Sequence, residues 1–131
     1  MQLVKPIDIE DALRIDISLE GVSCFAPPAP DNLLPDSVCF TVVGGASMFA
    51  VGHEYDVSVD CWAMTDAAAL DLANTICGEV CSLPLKTLES GRHYVTSDVN
   101  AIPYLNPDPL RPTLPRATFR ATVGIRGESI I

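Results

Sequence analysis

Along residues 55 to 83 the spacing of apolar positions changes once, from every second residue to every third or fourth. Tyr55, Val57, Val59, Cys61 and Ala63 alternate with Asp56, Ser58, Asp60 and Trp62, the signature of a strand that buries one face. Thr65 then offers a side-chain oxygen as a helix cap, and Asp66 places a negative charge in the first turn. Ala69, Leu72, Ala73, Ile76, Cys77, Val80 and Leu83 follow at helical spacing, with Asp71, Asn74, Gly78, Glu79 and Ser82 mainly opposite. The pattern predicts a helix over residues 66–82, stopped by Pro84 and lying on the sheet.

Other segments fill in the sheet. Residues 117–126 alternate Ala117, Phe119, Ala121, Val123 and Ile125 with Thr118, Arg120, Thr122, Gly124 and Arg126, which predicts a final strand with arginines on its polar face. Residues 37–43 are β-branched and aromatic and read as a strand ended by Gly44 and Gly45; residues 92–99 read as another. Residues 7–19 fit two descriptions, a short acidic helix or, through Ile15, Ile17 and Leu19, a strand. The four prolines of residues 26–36 and the five of residues 101–116 predict a loop and a long arm. Residues 1–131 therefore form one α+β domain, an antiparallel or mixed sheet with one main amphipathic helix packed on it and long proline-rich loops. Residues 1–35 make its N-terminal segment and first proline loop. No internal repeat occurs.

Composition narrows the class. With 48% hydrophobic and 19% charged residues, the 131-residue chain has enough apolar material for its own core. A net charge of −9 argues against sequence-independent binding to nucleic acid, which needs clustered Lys and Arg. The charge is unevenly placed. Residues 1–90 hold 14 of the 17 acids but only Lys5, Arg14 and Lys86 as bases, about −11, whereas residues 91–131 carry Arg92, Arg111, Arg116, Arg120 and Arg126 and come to about +2. Such a molecule favours head-to-side contact between copies over like-to-like contact. Arg92, Arg111 and Arg116 are the residues expected to meet a neighbouring copy or ring, because a guanidinium fork binds a carboxylate at two points. The N-terminal sequence reads as no signal peptide and no stretch as a membrane span. Five cysteines, an odd count, read as reduced thiols on apolar faces.

Candidate chemistry is sparse. Ser47 or Ser97 with His53 or His93 is a conceivable triad, but no G-x-S-x-G turn marks a nucleophile. His53, after Gly52, reads as an exposed turn residue. Cys77 and Cys81 share a helix face with Cys61 on the preceding strand, a pattern of core thiols rather than zinc ligands. Asp56 and Asp60 lie on one strand face and read as a solvated or channel-lining surface in preference to a cation site. No phosphate-binding glycine motif is present. No catalytic residue, cofactor or metal is expected.

The order of parts does resemble something. The segment DVSVDCWAMTDAAALDLANTICGEVCSLP, a short strand, and then YLNPDPLRPTLPRATFRATVGIRG are similar to the tail terminator, or tail-completion, proteins of long-tailed bacteriophages. The strand into an alanine-rich helix start corresponds to Val57 to Ala63 and Asp66 to Ala73, and the turn before the last strand to Pro107 to Arg116. The similarity covers about residues 36–127. It implies a non-enzymatic structural virion protein that forms a ring, usually a hexamer, at the head-proximal end of the tail tube, at the tail-neck junction. Such a ring ends tube polymerisation and meets the head-completion protein of the neck. DNA passes nearby without sequence-specific binding, no membrane is involved, and the protein is made in the bacterial host cytoplasm. The alternatives are a head-closure or other neck connector and, from a different class, a small-molecule-binding or enzymatic α+β domain.

Overall fold

The computed structural model describes residues 4–49 and 51–129. Its elements in chain order are β1 (Val4–Lys5), α1 (Ile9–Asp16), β2 (Ser23–Phe25), β3 (Ser37–Phe49), β4 (Gly52–Trp62), α2 (Asp66–Cys81), a 3-10 turn (Leu83–Leu85), β5 (Tyr94–Leu105), β6 (Arg116–Arg126) and β7 (Glu128–Ser129). Five strands form the main sheet in the order β2-β3-β4-β6-β5, and β1 pairs with β7 in a small second sheet. Only β2 runs parallel to its neighbour; every other pair in the main sheet is antiparallel. The sheet is therefore mixed and the class is α+β, with α2 packed on β4, β5 and β6 as its periodicity predicts.

The same alternation decides which face of the sheet is covered. Val38 and Phe40 of β3, Val57, Val59 and Cys61 of β4, and Ala117, Phe119, Ala121, Val123 and Ile125 of β6 share one core with Leu72, Ala73, Ile76 and Val80 of α2. Among the described residues the other face of the sheet bears no helix. Thr65 caps α2 by accepting from the Ala68 amide at 3.1 Å, and Ser82 ends it, with Pro84 falling into the 3-10 turn. Residues 7–19 contain a helix: Asp8 caps α1 by accepting from the Asp11 amide, and Ile9, Leu13 and Ile17 lie buried at spacings of four. That stripe outweighs the alternation of Ile15, Ile17 and Leu19, which leaves Ile15 exposed. Two long-range bonds seat α1 on the sheet. Glu10 Oε2 accepts from the Val42 amide of β3 at 2.8 Å, and the Tyr55 hydroxyl donates to the Ile7 carbonyl at 3.0 Å.

Strands β3 and β5 run well past the ends that the pattern predicts. β3 runs through Gly44 and Gly45 to Phe49, because bulges at Val42/Gly44 and Gly44/Ser47 absorb the glycines without ending the pairing with β4. Gly45 is required there twice over: its φ is +68°, and a Cβ would collide with the Asp56 carboxylate. β5 likewise continues to Leu105, so the first five residues of the expected proline arm are strand. Pro103 is tolerated because β5 is an edge strand, with no partner on its outer side among the described residues to need the missing amide. No helix among the described residues is long and apolar enough to cross a membrane.

Candidate functional site

The three arginines singled out from the sequence are all engaged within the chain. Arg92 precedes β5 and reaches the C-terminal end of α1, where its Nε donates to Asp16 Oδ2 at 2.7 Å and a terminal nitrogen to Oδ1 at 3.3 Å. The Tyr94 hydroxyl at 2.8 Å and the Ser90 hydroxyl at 2.7 Å donate to the same carboxylate. The Asp16 side chain is 2% exposed, so this is a buried charge supplied with four hydrogen bonds. The bond to Asp16 strengthens the hold of Arg92 on its proton, and burial followed by the bond to Asp16 pushes the Tyr94 hydroxyl up.

Arg111 and Arg116 close a second cluster around Trp62, the last residue of β4. Their guanidinium carbons stand 5.8 and 6.0 Å from the indole centroid, within cation–π range. The indole N–H donates to Asp108 Oδ2 at 3.2 Å, and that oxygen also accepts from Arg111 at 3.1 Å, with Arg116 3.9 Å away. Asp108 is 3% exposed. Burial pushes its carboxyl up, but the Leu110 amide, Arg111, the Trp62 N–H and Arg116 together outweigh burial and hold it below its ordinary value. Arg111 further donates to the Pro30 carbonyl at 2.9 Å, and Arg116 Nε to the Asn106 carbonyl at 2.8 Å. Both proline-rich loops are thereby fastened to each other and to one end of the helix-free face. Sequence placed Trp62 on the polar side of β4 and could not show its cover, which arrives from 46 residues further along.

The rest of that face is polar and open. Asp60 accepts from the Thr118 hydroxyl and Asp56 from the Thr122 hydroxyl, both at 2.7 Å, while Asn100 reaches Thr122 at 2.7 Å. Arg120 and Arg126 of β6 are exposed and have no ion-pair partner among the described residues. No set of three His, Cys, Asp or Glu side chains converges as metal ligands among the described residues.

The remaining candidates fall apart geometrically. His53 is not an exposed turn residue: it lies in β4 at 5% exposure, and both ring nitrogens lack a hydrogen-bond partner among the described residues. The pairing of β3 with β4 continues past the glycine pair to Phe49 and Gly52, so Gly52 and His53 join the strand. Ser47 instead donates to Glu54, at 3.3 Å, and no serine hydroxyl bonds a histidine ring among the described residues. Cys39 and Cys61 are buried and Cys24 and Cys77 half-buried, but Cys81 is exposed and not on the apolar face expected of it, because it falls at the last residue of α2. Burial pushes the Cys24 thiol up to about 11 and the Cys61 thiol higher still. No protein-family model matches the chain, and no curated protein matches it.

Proposed function

We propose that this chain is a structural protein of a phage virion, a tail terminator whose ring caps the head-proximal end of the tail tube and joins it to the neck. The observation that carries the reading is the one-sidedness of the sheet. Helices cover one face, while the other, bare of helices, sets Asp56 and Asp60 in rows with threonines and is open over much of its length. A hydroxyl-rich surface that carries Glu54, Asp56 and Asp60 beside two arginines unpaired among the described residues, Arg120 and Arg126, suits the lining of a passage, since such mixed charge holds a polyanion weakly and leaves it mobile. The resemblance of residues 36–127 to tail terminators supports the same assignment, because the strand-to-helix unit it rests on is the β4–α2 unit at the centre of the fold.

A particle reconstruction from the phage that encodes the chain provides the test. The expected result is a ring of this protein, sixfold in the proposed form, between tube and neck, with β4 and β6 facing the channel. Infection without the protein should give tubes of uncontrolled length and unattached heads. Particles in which the chain is absent from the tail-neck junction would overturn the assignment, and its presence one layer higher would make it a head-closure or connector protein.

A further inference from the structure

Among the described residues the main sheet ends in two uncovered edges. β5 has no strand on its outer side among the described residues over its 12 residues. On the other side β2 pairs only with Ser37 to Cys39 of β3, and Glu10 caps the Val42 amide, which leaves the stretch from Val43 onward without a partner on that side among the described residues. Proteins that work as single chains guard such edges with lysine or inward-pointing charge. Here β3 contains no charged residue and β5 only Asp98. Both edges instead present apolar side chains to solvent: Val95 at 47% and Ile102 at 78% exposure on β5, Val43 at 46% and Met48 at 73% on β3.

We infer that β5 of one copy pairs with the distal half of β3 of the next, so that the sheet continues from subunit to subunit. The inference deepens the ring reading and rests on it for its geometry. Strand directions alternate through β3, β4, β6 and β5, so β3 and β5 run oppositely within one chain. Copies related by rotation about an axis along the strands would therefore bring β5 against the next β3 in antiparallel register, continuing the pattern already present. The contact joins unlike surfaces and so propagates around a ring. Charge complementarity favours the same partner. β6, beside β5, presents Arg120 and Arg126, while β4, beside β3, presents Glu54, Asp56 and Asp60. These rows stand about three strand spacings apart across the junction, roughly 14 Å, close enough to orient two copies at low salt without forming ion pairs.

The test uses two variants of the full chain, Ile102→Lys to block the β5 edge and Met48→Lys to block the β3 edge. Both side chains are exposed, so circular dichroism should show folding unchanged. Each variant alone should lose self-association and sediment as a single chain. Their equimolar mixture should yield a species of twice 14.0 kDa and stop there, because only one unblocked β5–β3 junction remains between them. The equally exposed control Leu110→Lys, on the proline loop, should assemble like the wild type. Wild-type-sized assemblies from both edge variants would overturn the inference and leave the ring reading standing. Dimers of Met48→Lys alone would replace it with β5–β5 pairing. A wild-type chain that stays single alone and in the presence of tail tubes would overturn both.

Discussion

Single residues carry the chain's buried charges, and each is committed to holding separate segments together. Arg92 binds an Asp16 carboxylate that has almost no access to water, so Arg92→Ala strands a buried anion with two hydroxyl donors remaining. Chemical denaturation should register a loss of about 2–3 kcal/mol, below the range for a wholly buried pair because Arg92 itself is partly exposed. Asp108 gives a pH dependence. Its folded-state carboxyl titrates below its ordinary value, so it stabilises the fold fully above the unfolded value of about 4, and that contribution disappears as pH falls through the lower folded value. Trp62 is the chain's sole tryptophan and donates directly to Asp108, so its fluorescence reports the change. In Asp108→Asn the acid-side loss of stability below about pH 4 should be shallower than in the wild type. A curve as steep as the wild type's would place the responsible carboxylate elsewhere.

At the scale of elements, α2 holds the covered face in place. Ile76 is fully buried against the sheet, and Ile76→Ala should lower unfolding stability by about 2–5 kcal/mol, with the spread set by how far the neighbours collapse into the space. A loss below 1 kcal/mol in a urea titration would mean that α2 contributes little to the core. The hairpin of β3 and β4 depends instead on backbone freedom. Gly45→Ala demands a positive φ of an L residue and displaces the Asp56 carboxylate, so it should destabilise the hairpin by more than about 1 kcal/mol. Faster amide exchange confined to residues 43–56 is the expected readout.

For the whole molecule the main consequence is how little cationic charge remains available. Arg14, Lys86, Arg92, Arg111 and Arg116 are bound to acids of their own chain, and Arg120 and Arg126 sit exposed beside the acids of the helix-free face. The uneven charge along the sequence thus serves internal fastening first. Any role in orienting copies falls on the long-range field, which can be screened. Arg120→Glu should weaken self-association measured by sedimentation at 0.01 M salt, where the Debye length is about 30 Å. The difference from wild type should vanish at 1 M, where it is about 3 Å. A difference that persists at 1 M would indicate a direct contact made by Arg120.

The sequence by itself determined what depends on neighbours along the chain. The buried face of β4, the stripe and cap of α2, and the alternation of β6 follow from periodicity, because a strand or helix exposes its period whatever packs on it. The α+β class followed from the same signals. Tertiary structure decided the rest, wherever the partner is distant in sequence. It chose a helix for residues 9–16, whose pattern allowed two readings, by giving Ile9, Leu13 and Ile17 a sheet to lie on. It carried β3 through its glycines, since two bulges in β3 take up the extra residues while β4 keeps its pairing, and extended β5 past Pro103, since an edge strand has amides to spare. It buried His53 by extending β4 back to Gly52, and it buried Trp62 under arginines from a loop 46 or more residues away. It also turned Arg92, Arg111 and Arg116 inward: charge can be counted from sequence, but which carboxylate lies within reach of a guanidinium is a property of the folded surface alone.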